Sequence, residues 1–94
     1  MTNPPPYTED QVRKAEGAAE QAEAIAATAD DAVAEASAMP TEGLDSTQHF
    51  ERIRLIRSAQ DEAAAARRRA IEAREQADAV AMAYAAWREE QRGQ

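Results

Sequence analysis

The sequence contains no cysteine, which excludes disulfide bonds and thiol chemistry. Histidine occurs once, and the few serine residues have no base at a suggestive spacing, so a nucleophilic triad lacks its parts. No run of about 18 apolar residues is present, and a membrane-spanning helix is therefore not expected. These absences predict a protein that is not an enzyme.

The N-terminal residues also lack the basic and apolar regions of a secretory signal peptide. With no membrane-spanning helix expected either, the sequence predicts a cytoplasmic or virion-associated protein. Binding to a membrane surface is not expected, because a helix that lies on a bilayer needs large apolar residues along one face.

Large apolar residues are scarce, whereas alanine is abundant. Leu, Ile, Val and Phe together number ten, and the net charge is -7, a composition that by itself would suggest disorder. Alanine, the best intrinsic helix former, accounts for 25 of the 94 residues, and most of the others are Glu, Gln, Arg or Asp. We therefore expect one small all-α domain with a thin core.

Apolar residues recur in two stretches with an unbroken alternation of three and four, which is the spacing of a coiled-coil seam. The first stretch contains Val12, Ala15, Ala19, Ala22, Ala26, Ala29, Val33 and Ala36. The second contains Ile56, Ala59, Ala63, Ala66, Ala70, Ala73, Ala77, Val80, Tyr84 and Trp87. Because these seams are mostly alanine, two helices can approach closely, although each contact removes little apolar surface from water.

Proline and glycine divide the chain into an arm, two helices and a loop. Residues 1–7 include three prolines and should form an extended arm. A single helical-hairpin domain is expected over residues 8–94. Within it, the first helix should cover about 8–38, the loop 39–45 and the second helix about 46–92.

Local signals mark the expected helix ends. Thr8 with Gln11, and Asp45 with Gln48, have the spacing of capping boxes at the two helix starts. The first helix should end before Pro40, because the residue preceding a proline avoids the helical conformation. A loop this short makes neighbouring helices antiparallel. The predicted fold is therefore all-α: an antiparallel two-helix hairpin, an alanine-rich coiled coil, expected to assemble into a helical bundle.

The register of the two seams is estimated from the loop. A symmetrical turn sets Ala26 of the first helix against Ala59 of the second. The same register brings Arg52 against the first seam near the loop, where an arginine fits poorly. We therefore expect the seam to shift locally toward Phe50 and Ile53.

Charge also favours antiparallel pairing, since the first helix is mainly acidic and the middle of the second is mainly basic. Glu16 is expected near Arg74, and Glu23 near Arg67.

The arginine run 67–69 is the one feature that could suggest nucleic acid. Because acids of the first helix compete for it and the chain has a pI near 4.6, we expect ion pairs and no nucleic-acid binding.

A second apolar stripe runs beside the first seam and widens its apolar face. It consists of Ala18, Ile25, Ala32 and Met39. One partner helix cannot cover both the seam and this stripe. The stripe could be covered by a second copy of the chain or by another helical protein. The third alternative is that nothing covers it and that alanine serves only to raise helicity.

The end of the second helix carries further apolar residues. In the expected register Val80, Met82, Tyr84 and Trp87 lie beyond the end of the first helix. Either the proline arm folds back and brings Tyr7 against them, or this end binds another subunit or protein, since Tyr and Trp are favoured interface anchors. The predicted interface residues are thus Ile25, Ala32, Met39, Val80, Tyr84 and Trp87.

No cofactor, metal or small-molecule substrate is expected. Asp45 and His49 lie four residues apart near a helix start, but two ligands are too few to hold a metal. The Glu-x-x-His repeats of di-iron bundles are also absent from the sequence.

The length and the outline of two helices joined by a short turn resemble the WXG100 class of small secreted helical hairpins. That resemblance implies a dimeric partner in type VII export. The loop at 40–44 has no Trp two residues before Gly43, and Arg88 stands four residues after Tyr84, where the family's tail signal has an acid. The resemblance is therefore one of architecture only.

These features predict a structural or adaptor protein that acts through coiled-coil self-association, as a homodimer or higher oligomer, or through another helical protein. Arg outnumbers Lys ten to one, and with abundant Ala, Glu and Asp this composition is typical of GC-rich coding sequences. It points to an assembly component of a phage or a high-GC bacterium. The alternatives are a small regulatory binder that engages a host or cellular protein as a monomer, and a WXG100-like hairpin.

Overall fold

The computed structural model describes residues 3–93. The predicted arm at 1–7 and the predicted domain at 8–94 therefore each extend outside the described residues. Two helices, α1 (Glu9–Ala38) and α2 (Ser46–Arg92), pack side by side in a rod measuring 75 × 15 × 14 Å. The predicted all-α helical hairpin is confirmed.

Capping boxes fix the start of both helices, as the sequence indicated. At α1, the backbone N–H of Gln11 donates to Thr8 Oγ1 at 3.1 Å, and the N–H of Thr8 donates to Gln11 Oε1 at 2.8 Å. At α2, the N–H of Gln48 donates to Asp45 Oδ1 at 2.8 Å, and the N–H of Asp45 donates to Gln48 Oε1 at 3.0 Å. Each box satisfies backbone N–H groups that a helix end leaves without partners.

The loop ends α1 and reverses the chain. Met39 leaves the helix with an extended backbone (φ −60°, ψ 134°), because the ring of Pro40 excludes the helical conformation from the residue before it. Gly43 has a φ of 77°, a left-handed conformation in which a side chain would be strained. The turn is thus set by the backbone restriction that Pro40 imposes and by the conformational freedom of Gly43.

The alanine seams form the contact between the helices. Every residue of the two predicted seams is buried or half-buried. The buried ones in the described range are Ala19, Ala26, Ala63, Ala66, Ala70, Ala77 and Val80. No buried side chain among them is larger than valine, so the core is narrow and each methyl group contributes only about 0.8 kcal/mol.

The register of the seams differs from the expected one by a heptad. Ala26 packs in one cluster with Ala66 and Ala70, while Ala22 and Ala29 lie against the same cluster. Ala66, rather than Ala59, is therefore the seam residue near Ala26. A shift of one heptad places alanine on alanine again, so the apolar pattern alone does not distinguish the two registers.

The expected shift of the seam near the loop was wrong. Phe50 and Ile53 are 65% and 53% exposed, whereas Arg52 keeps its seam position and is half-buried. In the observed register Arg52 lies at the C-terminal end of α1, where its Nη2 donates to the carbonyl of Ser37 at 2.9 Å. A cation is favourable there because the last carbonyls of a helix lack backbone partners.

A carboxylate in the seam should open the hairpin. Ala26→Glu places a charge between closely packed helices with no cation to pair with it, so we expect a loss on the order of 3 kcal/mol in the free energy of unfolding. Thermal unfolding followed by circular dichroism measures this. The control is Ala24→Glu, on an exposed position of the same helix, which should cost about 0.5 kcal/mol or less. Equal losses would contradict the seam.

The register can be tested at the far end of α2. Val80 is 3% exposed, whereas Met82 is 71% exposed. Val80→Ser should therefore lower the free energy of unfolding by about 2 kcal/mol, and Met82→Ser by about 0.5 kcal/mol or less, both measured by urea denaturation. If Val80→Ser lowered the free energy of unfolding no more than Met82→Ser does, Val80 would lie beyond the end of α1, as in the register expected from the sequence.

Candidate protein-interaction site

The two long sides of the hairpin differ in chemistry. Flanking the seam on one side, α1 carries the acids Glu16, Glu23 and Asp30. Flanking it on the other side, α1 carries Ala18, Ile25, Ala32 and Met39. We term the first the ion-paired side and the second the open side.

The ion-paired side is crossed by arginines of α2. Arg74 donates from Nη1 to Glu16 Oε1 at 2.8 Å and from Nη2 to Glu23 Oε1 at 2.7 Å. Arg67 donates from Nη1 to Asp30 Oδ1 at 3.0 Å. The expected pair of Glu16 with Arg74 is confirmed, but Glu23 also binds Arg74 rather than Arg67. The heptad shift accounts for this difference, because it moves each arginine of α2 along α1 by seven residues, which is two helical turns.

Arg74 and Glu23 shift each other's pKa. The hydrogen bond from Arg74 lowers the pKa of Glu23 below its ordinary value of 4.5, with a smaller contribution from the attraction between the two charges. In turn, hydrogen bonds to Glu23 and then Glu16 raise the pKa of Arg74 above its ordinary value. The three acids of this side already have ion-pair partners within the chain.

On the open side, a shallow groove runs between the helices. Its floor and walls include Ile25, Ala29, Ala65, Glu62 and Arg69. Toward the loop, the same side continues past Ala32, which lines the adjoining surface with Glu62. Apolar side chains of both helices line the groove, together with two acids of α2, Asp61 and Glu62, and one base, Arg69.

Large apolar side chains remain accessible along the open side. Ile25 is 52% exposed and Met39 is 45% exposed, while Ala32 is also exposed. Met39 shares a depression at the loop end with Leu55 of α2, which is 57% exposed. The structure thus places Ile25, Ala32 and Met39 on one accessible side, where Leu55 joins them.

The predicted interface residues at the end of α2 have a different setting. Val80 is buried within the hairpin, so it is not accessible to a partner in this structure. Tyr84 and Trp87 are half-buried and their rings lie 5.9 Å apart. The indole Nε1 of Trp87 donates to the carbonyl of Asn3 at 2.7 Å. Asn3 of the arm therefore lies against this end, which agrees with the expectation that the arm folds back; the expected contact of Tyr7 stays a prediction.

Sequence reasoning missed several exposed residues of α2. Leu55, Phe50 and Ile53 were either unassigned or expected to pack into the seam, and Ile71 is 58% exposed on the outer face. Leu55 could have been found, since it occupies the same heptad position on α2 as Glu62 and Arg69. Its placement beside Met39 depends on the register, which the heptad pattern leaves open.

In the part of the chain described, no three His, Asp or Glu side chains are grouped closely enough to hold a metal ion. Over the same range, neither helix combines the length and apolar character needed to cross a membrane. No family model, curated protein or solved structure matches the chain. The open side, with half-exposed Ile25, Met39 and Leu55, is the candidate surface for a protein partner.

The ion-paired side should make stability depend on pH. Because the pKa of Glu23 is lowered in the folded state, its contribution is fully present above the unfolded pKa and is lost as the pH falls through the folded one. Arg74→Gln should therefore destabilise the hairpin at about pH 7 and lose that effect as the pH falls below the lowered pKa of Glu23. Urea denaturation at each pH measures the free energy of unfolding of Arg74→Gln and of the unmodified protein.

The control for Arg74→Gln is Arg68→Gln, because Arg68 is exposed and has no ion-pair partner among residues 3–93. We expect its unfolding free energy to follow the original protein at every pH. An Arg74→Gln protein with an unchanged pH profile would contradict the assignment.

Proposed function

We propose that this chain is a non-enzymatic structural or adaptor protein that self-associates through the open side, so that two or more hairpins form a helical bundle. The observation that carries the proposal is a group of large apolar side chains exposed together on that side. Ile25, Met39 and Leu55 are 52%, 45% and 57% exposed. Packing against a second hairpin would remove them from water.

The thin core supports the same proposal. A hairpin held by alanine methyl groups has little apolar burial to offset the entropy of ordering two long helices. A second layer on the open side adds apolar contacts that the single hairpin lacks, as in helical bundles built from paired hairpins. The ion-paired side is less suited to this role, because its acids are already engaged by Arg67 and Arg74.

The setting proposed for this protein is the cytoplasm or a virion, as an assembly component of a high-GC bacterium or one of its phages. The support for this setting is compositional: ten arginines to one lysine, with alanine at 25 of 94 residues. The rod shape, 75 Å long and about 15 Å wide, suits a spacer or scaffold element.

Self-association is tested by sedimentation equilibrium over a wide concentration range. We expect a dimer or higher oligomer, and Ile25→Ser should raise its dissociation constant roughly 10- to 100-fold, since each 1.4 kcal/mol of lost burial is tenfold. The control is Ile71→Ser, because Ile71 is similarly exposed, at 58%, but lies on the outer face of α2. Its dissociation constant should stay unchanged.

A protein that remains a helical monomer at every concentration would contradict the proposal. It would favour the rival function, a regulatory binder that engages another protein with its open side. Circular dichroism on the same samples establishes that each variant is folded.

A further inference from the structure

We propose that the open side binds a second copy of this chain in an antiparallel orientation, about a twofold axis that passes near Thr28 and Ala65. This inference rests on the proposed self-association and specifies its geometry. The arrangement pairs Arg69 of each copy with Glu62 of the other. The same axis packs Ile25 of each copy against Ala32 of the other.

The positions of these residues along the rod carry the argument. Ile25 and Arg69 line one groove, and Glu62 lines both that groove and the adjoining surface that holds Ala32. Because Ala26 packs against Ala66 and Ala70, Ile25 and Arg69 lie at one level of the open side. Ala32 and Glu62 form a second level, one heptad nearer the loop, or roughly 10 Å away.

A twofold axis midway between the two levels exchanges them. Thr28 and Ala65 lie near this midpoint, on α1 and α2. Under the exchange, the basic edge at Arg69 meets the acidic edge at Glu62 twice, once on each side of the axis. The branched side chain of Ile25 meets the small side chain of Ala32, so that large and small residues alternate across the interface.

Charge selects this orientation over the parallel one. Among residues 3–93, neither Glu62 nor Arg69 takes part in an ion pair of at most 4.0 Å. In a parallel arrangement about the rod axis, each level would face itself, so Ile25 would cover the partner's Arg69 and both charges would stay unpaired. Complementary charges fix register and orientation in such interfaces, and unpaired ones oppose the alternative.

The size of the face is sufficient for a stable dimer. The axis lies close to the middle of α2, so two antiparallel rods overlap over most of their length. An overlap of roughly 60 Å across a face about 15 Å wide gives roughly 900 Å² per copy, comparable to the 800 Å² per partner of standard interfaces.

Charge reversal on the full chain provides the first test. Glu62→Arg should raise the dimer dissociation constant by about tenfold or more, because it sets arginines against each other on both sides of the axis. The double variant Glu62→Arg, Arg69→Glu restores opposite charges and should return to within about threefold of the original value. Sedimentation equilibrium measures all three proteins.

The control is the pair Arg68 and Glu75, which has the same charges at the same heptad spacing on exposed positions facing away from the open side. Glu75→Arg, alone or with Arg68→Glu, should leave the dissociation constant unchanged. Far-ultraviolet circular dichroism of every variant checks that the helices are intact.

Disulfide trapping provides the second test. Because the sequence contains no cysteine, only an introduced thiol can form a crosslink. Ala65→Cys lies near the axis, so two copies should form a covalent dimer under mild oxidation. Ala79→Cys is at the same heptad position on α2, but its two copies would be about 40 Å apart. It should remain uncrosslinked at the same protein concentration.

The outcomes separate this inference from the function on which it rests. Restoration by the double reversal, together with crosslinking at Ala65 but not Ala79, supports the antiparallel pair. A protein that dimerises without a response to Glu62→Arg and without crosslinking at Ala65 overturns this geometry and leaves self-association standing. A wild-type chain that is monomeric throughout overturns both.

Discussion

Contact between alanine methyl groups along the seam is the interaction on which the rest of the structure depends. It allows α1 and α2 to lie close together, and it leaves the buried core without any side chain larger than valine in the described range. Because the methyl groups contribute little apiece, specificity has to come from the two long sides and from the ends of the rod. The ion pairs of Arg74, the capping of α1 by Arg52 and the hydrogen bond from Trp87 to Asn3 supply it.

Local sequence signals were sufficient to predict the helices. The capping boxes and Pro40 act over three or four residues, and the seam repeats so regularly that its buried face followed from spacing alone. The open side could also be predicted in part, since Ile25, Ala32 and Met39 share one heptad position. Each of these inferences depends on a single helix and on no knowledge of its neighbour.

Inferences that required the neighbouring helix were less successful. A seam of alanine is nearly identical after a shift of one heptad, so the register was estimated from the loop alone. That estimate set Ala26 against Ala59, one heptad away from the observed Ala66. That error led to the expected seam shift at Phe50 and Ile53 and to the expected exposure of Val80. Leu55 was missed for the same reason, because it reaches Met39 only in the observed register.

The repetition of the seam also has a kinetic consequence. Hairpins that close one heptad out of register bury nearly the same alanine surface, so they are compact competitors during folding rather than high-energy states. They lack the contacts that occur at one register only: Arg52 at the carbonyl of Ser37, and Trp87 at the carbonyl of Asn3. These few polar contacts therefore favour the correct register, since a misaligned hairpin can pack its methyl groups but cannot form the hydrogen bonds at its ends.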